Sequence, residues 1–280
     1  MKKLKNQFKT GKYLFLYCLL LSAIAAIGQP SLNMGNTTFT YVESDANHYY
    51  DYILPLNVTS KILYAYVRGG DGGAGNNVGK GGGGGAELWA LIPIGSNPGE
   101  LKPGSTLRFI PGGNGRSRGQ FGSGGGGSAI AWRGKDSTNW HILMVAGGGG
   151  GAGKYHTGSS ANTWENGYGS GDDPANAGKY SSATSAGGTD GMGAIDGNTD
   201  GGAGGGAYGS GLHAYDKGGS SHPTGYEKKD SDGAAGMNAA GAPVGGASGG
   251  DSEFYIDGGY GFGGGGSGYN EGWNRAGAGG

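Results

Sequence analysis

The sequence has one cysteine, few prolines and almost no net charge, and each shortage argues against a class of protein. The only cysteine, Cys18, lies near the N-terminus, so the rest of the chain can form neither disulfides nor thiolate metal sites. Glycine is abundant, at 72 of 280 residues, but the 9 prolines and the absence of a strict three-residue repeat argue against a collagen triple helix. A net charge of −1 does not provide the basic surface that nucleic-acid binding requires.

Residues 1–28 have the pattern of a secretory signal peptide. Five lysines precede a nearly continuous apolar run over residues 13–27, and small residues offer a cleavage site before Gln29. An uncleaved signal anchor is the alternative, although the run is shorter than the ~20 residues that a membrane span requires. We therefore expect a secreted, extracellular or cell-surface protein with no membrane span in the mature chain.

Residues 29–146 contain the short alternating apolar segments that are typical of β-strands. The predicted strands are Thr37–Val42, Tyr49–Leu54, Lys61–Arg68, Glu87–Ile94, Ser105–Ile110, Ser128–Trp132 and Trp140–Ala146. Lys61–Arg68 has apolar residues on both faces, so we expect it to be covered on both sides, and Trp140–Ala146 reads as a fully buried strand. Strands at this spacing, separated by glycine blocks, indicate an antiparallel sandwich or jelly roll.

Residues 147–280 are dominated by glycine, and only Glu253–Ile256 is predicted there as a strand. A disordered tail is one interpretation, since glycine-rich polar chains often cannot offset the entropy that ordering costs. The 17 tyrosines, 5 tryptophans and 7 phenylalanines of the chain argue against a flexible linker. We therefore expect a bundle of glycine-rich polyproline-II helices, whose backbones hydrogen-bond to one another because no Cβ atoms separate them.

This interpretation makes two glycines diagnostic. Gly149 lies in the run Gly147–Gly151, directly after the strand Trp140–Ala146, and its replacement by valine should severely destabilise a packed bundle. Gly158 is assigned to a loop, so Gly158→Val is expected to have little effect.

Three segments carry a resemblance to a known family: Tyr64–Gly75 (YAYVRGGDGGAG), Pro103–Gly115 (PGSTLRFIPGGNG) and Leu143–Gly153 (LMVAGGGGGAG). Their order resembles the glycine-rich domain of the anaplastic lymphoma kinase and leukocyte tyrosine kinase receptors, a module that also occurs in secreted microbial proteins. The resemblance covers about residues 37–280. It implies a mostly β fold: a tumour-necrosis-factor-like or jelly-roll β-sandwich interleaved with a bundle of glycine-rich polyproline-II helices, forming one glycine-rich domain.

The chain also departs from these receptors. It has no HRD or DFG kinase motif and no cysteine-rich module, so kinase activity cannot be carried over. The first glycine block begins Val67-Arg68-Gly69-Gly70, where the family often has an aromatic-x-alanine-glycine-glycine start, and the receptor cytokine site cannot be mapped onto this sequence. Because the chain stops in the glycine-rich segment Gly277–Gly280, truncation of a longer protein is a further expectation.

The sequence offers one weak metal candidate. Asp196, Asn198 and Asp200 match the first half of a calcium loop, but its twelfth position is Ala207 instead of glutamate, and no flanking helices are predicted. A turn rich in aspartate and glycine explains the pattern more simply. The histidines lack the spacing of metal ligands or of a catalytic triad, so no enzyme activity and no cofactor are expected.

Aromatic residues between the later glycines are the remaining candidates for ligand contact. Two interpretations stay open: the rings pack over glycine helices, or they contact a protein or glycan ligand. The candidate contact residues are Tyr155, Trp164, Tyr168, Tyr215 and Tyr226. The sequence thus predicts a non-catalytic binding or adhesion module outside the cell, with a structural extracellular-matrix or ice-binding protein as the alternative.

Overall fold

A computed structural model describes residues 38–41, 48–58, 62–75, 79–153, 157–158, 160–161, 195–196, 212–213, 236–238, 240–246, 255–256, 258–265, 268–269 and 279–280. These residues form strands, turns and extended segments without any helix, which confirms the mostly β prediction for this part of the chain. Among them, therefore, no helix is available that could cross a membrane. The chain divides into two compact units: the first includes residues 54–66 and 89–103, and the second includes residues 39–53, 67–88 and 104–280.

Seven of the twelve strands, β1–β4, β7, β8 and β11 in the numbering that follows, match predicted ones with ends shifted by one or two residues. In chain order they are β1 Tyr50–Ile53, β2 Ile62–Arg68, β3 Glu87–Pro93, β4 Thr106–Ile110, β5 Ser117–Arg118, β6 Phe121–Gly122, β7 Ser128–Arg133, β8 His141–Ala146, β9 Ile195–Asp196, β10 Leu212–His213, β11 Tyr255–Ile256 and β12 Gly268–Tyr269. Predicted strand Thr37–Val42 is wrong for its described part, since residues 38–41 are not a strand. The two-residue strands β5, β6, β9, β10 and β12 were not predicted, because so short a segment carries no alternation.

The largest sheet of the second unit has the order β1-β4-β7-β8, with every neighbouring pair antiparallel. Leu107 in β4 lies opposite Trp132 in β7, and Ile130 in β7 lies opposite Met144 in β8. Because β8 forms an edge of this sheet, its side chains are only partly covered, and Val145 is exposed. The expectation that this strand is fully buried is therefore wrong.

The core of the second unit joins the sheet to the later glycine-rich segments. Ile110 and Ala129 pack with Tyr260 and Phe262, and all four are buried. The hydroxyl of Tyr260 donates a hydrogen bond to the carbonyl oxygen of Val244. Of the later aromatics, Tyr260 thus follows the packing interpretation, because its ring lies directly beside the backbone of Gly245, where an added Cβ would collide with it.

The glycine segments of the second unit hydrogen-bond through their backbones at intervals of three residues. The N–H groups of Gly69, Gly72 and Gly75 donate to the carbonyl oxygens of Ala86, Gly83 and Lys80, at 3.0, 2.8 and 2.7 Å. A second face of the same segment uses the next residues, since Gly70 and Gly73 donate to Gly126 and Ser123 at 2.8 Å each. The third face uses side-chain acceptors: Asp71 N–H donates to Asn114 Oδ1 at 2.9 Å, and Ala74 N–H donates to Ser117 Oγ at 2.7 Å.

This three-residue repeat explains the sequence GGDGGAG at residues 69–75. A Cβ atom placed on Gly69, Gly70, Gly72 or Gly73 would lie well inside 3.0 Å of a carbonyl oxygen on a neighbouring segment. The two positions that carry side chains, Asp71 and Ala74, are those whose N–H groups donate to side-chain acceptors. Glycine is therefore required on two faces of the segment, and a side chain is accommodated on the third.

Bare backbone is also required in the run that follows β8. Gly149 donates to the Gly70 carbonyl at 2.9 Å and accepts from the Gly125 N–H at 2.8 Å, and a Cβ there would collide with the Gly83 carbonyl. The expected close approach of backbones at Gly149 is confirmed. Gly158 was assigned to a tolerant loop, which is wrong: its N–H donates to the Gly81 carbonyl at 2.9 Å, and a Cβ would collide with Gly150.

Candidate functional site

The first unit exposes apolar side chains on two paired strands. β2 and β3 are hydrogen-bonded neighbours, and the exposed fractions are 42% for Ile62, 43% for Tyr66, 73% for Trp89 and 49% for Leu91. Alternate residues of a strand point to the same side, so half-buried Tyr64 and exposed Pro93 belong to the same set. We define the β2–β3 apolar face as Ile62, Tyr64, Tyr66, Trp89, Leu91 and Pro93.

The two strands direct these residues to one common side. In β2 the alternate residues Leu63 and Ala65 are buried, which leaves the other side of the strand to solvent. Further along the same alternation, Arg68 Nε lies 3.1 Å from Glu87 Oε1. Arg68 is one of the exposed alternate residues of β2, and Glu87 is one of the exposed alternate residues of β3. Because their side chains are in contact, the exposed residues of both strands lie on the same side of the sheet.

A hydrogen-bonded turn holds the C-terminal end of β3. Glu100 accepts from the Asn97 backbone N–H at 2.9 Å and from the Asn97 side-chain amide at 3.0 Å. Leu101 N–H donates to the Pro93 carbonyl at 2.8 Å, and Leu101 itself is buried, as is Ile94. The apolar face therefore lies on a strand whose end is fixed by hydrogen bonds and by buried side chains.

The charged cluster next to the first glycine segment is internally satisfied. Arg68 Nη2 contacts both carboxylate oxygens of Asp71, at 2.6 and 2.8 Å, and Gly85 N–H donates to the same carboxylate at 2.9 Å. Burial raises the pKa of Asp71, but the hydrogen bonds from Arg68 and Gly85 outweigh it, so this pKa is lowered overall. The hydrogen bonds and charges of Asp71 and, to a smaller extent, of Glu87 raise the pKa of Arg68. This carboxylate is therefore occupied in holding the glycine segment.

Arg108 in β4 is a buried cation of the second unit, and it is also fully engaged. Its Nε and Nη2 donate to the two carboxylate oxygens of Asp51 at 2.6 and 2.7 Å, and its Nη1 donates to the Pro243 carbonyl at 3.0 Å. The guanidinium carbon lies 3.7 Å from the ring centre of Tyr49 and 4.5 Å from that of Trp140. With every nitrogen hydrogen-bonded and two aromatic rings beside its guanidinium, Arg108 ties the sheet together and is not a candidate anion site.

Most of the residues that the sequence singled out lie outside the described part of the chain. This applies to Asn198 and Asp200 of the calcium candidate and to the aromatics Tyr155, Trp164, Tyr168, Tyr215 and Tyr226. Asp196 is described as a backbone position in β9, which pairs in parallel with β10. Within the described residues, no group of three or more histidine, cysteine, aspartate or glutamate side chains could hold a metal ion.

Sequence reasoning missed the β2–β3 apolar face for a definable reason. The expectation for Lys61–Arg68 took apolar residues on both sides of a strand to mean burial on both sides, which is wrong for the side that carries Ile62 and Tyr66. The available signal was that two strand segments, ILYAYV and LWALIP, both carry apolar residues on their two faces.

Comparison with known proteins adds no assignment: no protein-family model matches the chain, and a search of curated proteins found no match.

Proposed function

We propose that this protein is a secreted or cell-surface, non-catalytic binding or adhesion module that contacts its partner through the β2–β3 apolar face. The observation that supports this role is the exposure of Trp89, Leu91, Tyr66 and Ile62 on two paired strands. A contiguous exposed apolar surface is costly in water and is typical of an interaction site. Aromatic anchors such as Trp89 and Tyr66 provide a large contact area at a small cost in conformational entropy.

The proposed scaffold is a glycine-rich domain of the type found in the anaplastic lymphoma kinase and leukocyte tyrosine kinase receptors. In this proposal the strands belong to a jelly-roll sandwich and the glycine segments are polyproline-II helices. The three-residue interval of the backbone hydrogen bonds supports the helical part, because a polyproline-II helix has three residues per turn and must find its hydrogen bonds outside itself. The signal-peptide pattern of residues 1–28 supports export.

The proposed role is tested by comparing binding of the wild type and two matched variants on protein and glycan arrays. Trp89→Ser removes the most exposed residue of the face, and Leu56→Ser removes an exposed residue of the same unit that is not on β2 or β3; the exposed fractions are 73% and 69%. We expect the first variant to lose binding and the second to retain it. Equal binding by all three proteins would remove the face from the proposal, and thermal hysteresis without any binding would favour the ice-binding alternative.

A further inference from the structure

We propose that the partner of the β2–β3 apolar face is a second copy of this chain, bound face to face. This inference rests on the proposed binding role of the face and adds the identity of its partner. In a two-fold symmetric pair the same surface is used by both copies, so the surface must be complementary to itself.

The composition of the face meets this requirement. None of Ile62, Tyr64, Tyr66, Trp89, Leu91 and Pro93 carries a charge, so two copies can approach without like-charge repulsion. The face combines aromatic rings with the aliphatic residues Ile62 and Leu91. A glycan site would instead require several polar groups placed beside the aromatics to bond sugar hydroxyls, and the only polar side-chain groups in this set are the two tyrosine hydroxyls and the indole N–H of Trp89. The chemistry therefore favours a protein surface of the same kind.

The area of the face is sufficient for a reversible dimer. The exposed fractions, applied to ordinary side-chain areas, correspond to roughly 500 Å² of accessible apolar surface. This lies toward the upper end of the ~300–600 Å² found for the largest apolar patch of a typical monomer. Two copies would bury about 1,000 Å² in total, which is the lower limit for a specific interface. The expected complex is thus weak and dependent on concentration.

The geometry of a sheet also suits this partner. A face of alternating side chains on one sheet packs against the equivalent face of another sheet in the manner of a β-sandwich, with side chains interdigitating across about 10 Å. The opposite side of β2 is already buried through Leu63 and Ala65. A second copy would therefore cover the side that remains exposed.

Analytical ultracentrifugation of the purified chain from about 1 µM to about 1 mM tests this inference. We expect a reversible increase from monomer to dimer across this range. Trp89→Ser and Leu91→Ser should each raise the dissociation constant by at least about tenfold, because each removes an anchor from the interface. Leu56→Ser should change it by no more than about twofold, since it alters an exposed residue on neither strand. Circular dichroism melting of each variant verifies folding.

Two results would overturn the inference. One is a wild-type chain that stays monomeric throughout the range; if Trp89→Ser still abolishes array binding, the face then binds a different partner and the proposed function stands. The other is a dimer of equal strength in Trp89→Ser and Leu91→Ser, which would assign self-association to another surface. If these variants keep both array binding and dimerisation, both proposals are rejected.

Discussion

Three adjacent glycines after β8 differ in what a single methyl group would meet. A Cβ on Gly147 would find its nearest neighbour at 3.5 Å, which is ordinary van der Waals contact. A Cβ on Gly148 or Gly149 would collide with the carbonyl of Gly125 or Gly83, respectively. The residue type is the same at all three positions, so the difference comes entirely from the segments that surround them.

We predict that Gly149→Ala destabilises the protein by about 2–4 kcal/mol, whereas Gly147→Ala is neutral or stabilising by up to ~1 kcal/mol. The first change forces backbones apart and strains two hydrogen bonds, and the second only restricts the unfolded chain. Denaturant titrations of the two variants measure the difference directly. Similar midpoints for both variants would indicate that the glycine run is not packed.

Asp71 should make stability depend on pH. Its pKa is lowered in the folded protein from an ordinary value of 3.8, so its charged form stabilises the fold above that pH and this contribution disappears as the pH falls through the folded pKa. The carboxylate is partly exposed, so the effect at neutral pH is below about 1 kcal/mol.

Thermal melts at neutral and acidic pH provide the measurement. Asp71→Asn should melt below the wild type at neutral pH, and the gap should close at acidic pH, where the wild-type carboxyl is also uncharged. Asp136→Asn, in an exposed turn, is the matched control. A gap that stays constant with pH would show that the Arg68 interaction contributes nothing through charge.

At the scale of the element, the glycine segments follow a period of three, whereas the strands follow a period of two. In residues 81–85, a Cβ has open space at Gly81 and only 3.8 Å contacts at Gly84, but it would collide with backbone at Gly82 and at Gly85. A strand would alternate at every second residue. The period of three should therefore be visible in how substitutions along residues 81–85 change stability.

An alanine scan of these four glycines should therefore show a three-residue repeat. Gly82→Ala and Gly85→Ala should each destabilise by about 1–3 kcal/mol through overpacking against backbone. Gly81→Ala and Gly84→Ala should stay within about 0.5 kcal/mol of the wild type. Denaturation midpoints report the four values, and a two-residue alternation or a uniform loss would contradict the repeat.

At the scale of the whole molecule, the signal-peptide pattern of residues 1–28 predicts export from the cell. We expect the mature protein to begin near Gln29, because small residues precede it at the end of the apolar run. Expression in a secreting host followed by N-terminal sequencing of the product in the medium checks this. A product that retains residues 1–28, or one that remains in the cytoplasm, would contradict the prediction.

The sequence by itself determined the β character, most strand positions and the need for bare backbone in the glycine run. These properties depend on residue type within a short window: alternation specifies a strand, and glycine alone lacks the Cβ that would hold two backbones apart. Tyr50–Ile53 and Thr106–Ile110 were therefore predictable to within one residue at each end.

Only the tertiary structure decided which surfaces remain open. Ile62 and Leu63 are both apolar neighbours in one strand, yet the first is exposed and the second is buried, because other parts of the chain cover only one side of β2. Gly147 and Gly158 are chemically identical, yet a side chain fits at the first and not at the second. Burial and steric room are properties of the neighbours that folding brings close, and these neighbours lie far away in the sequence.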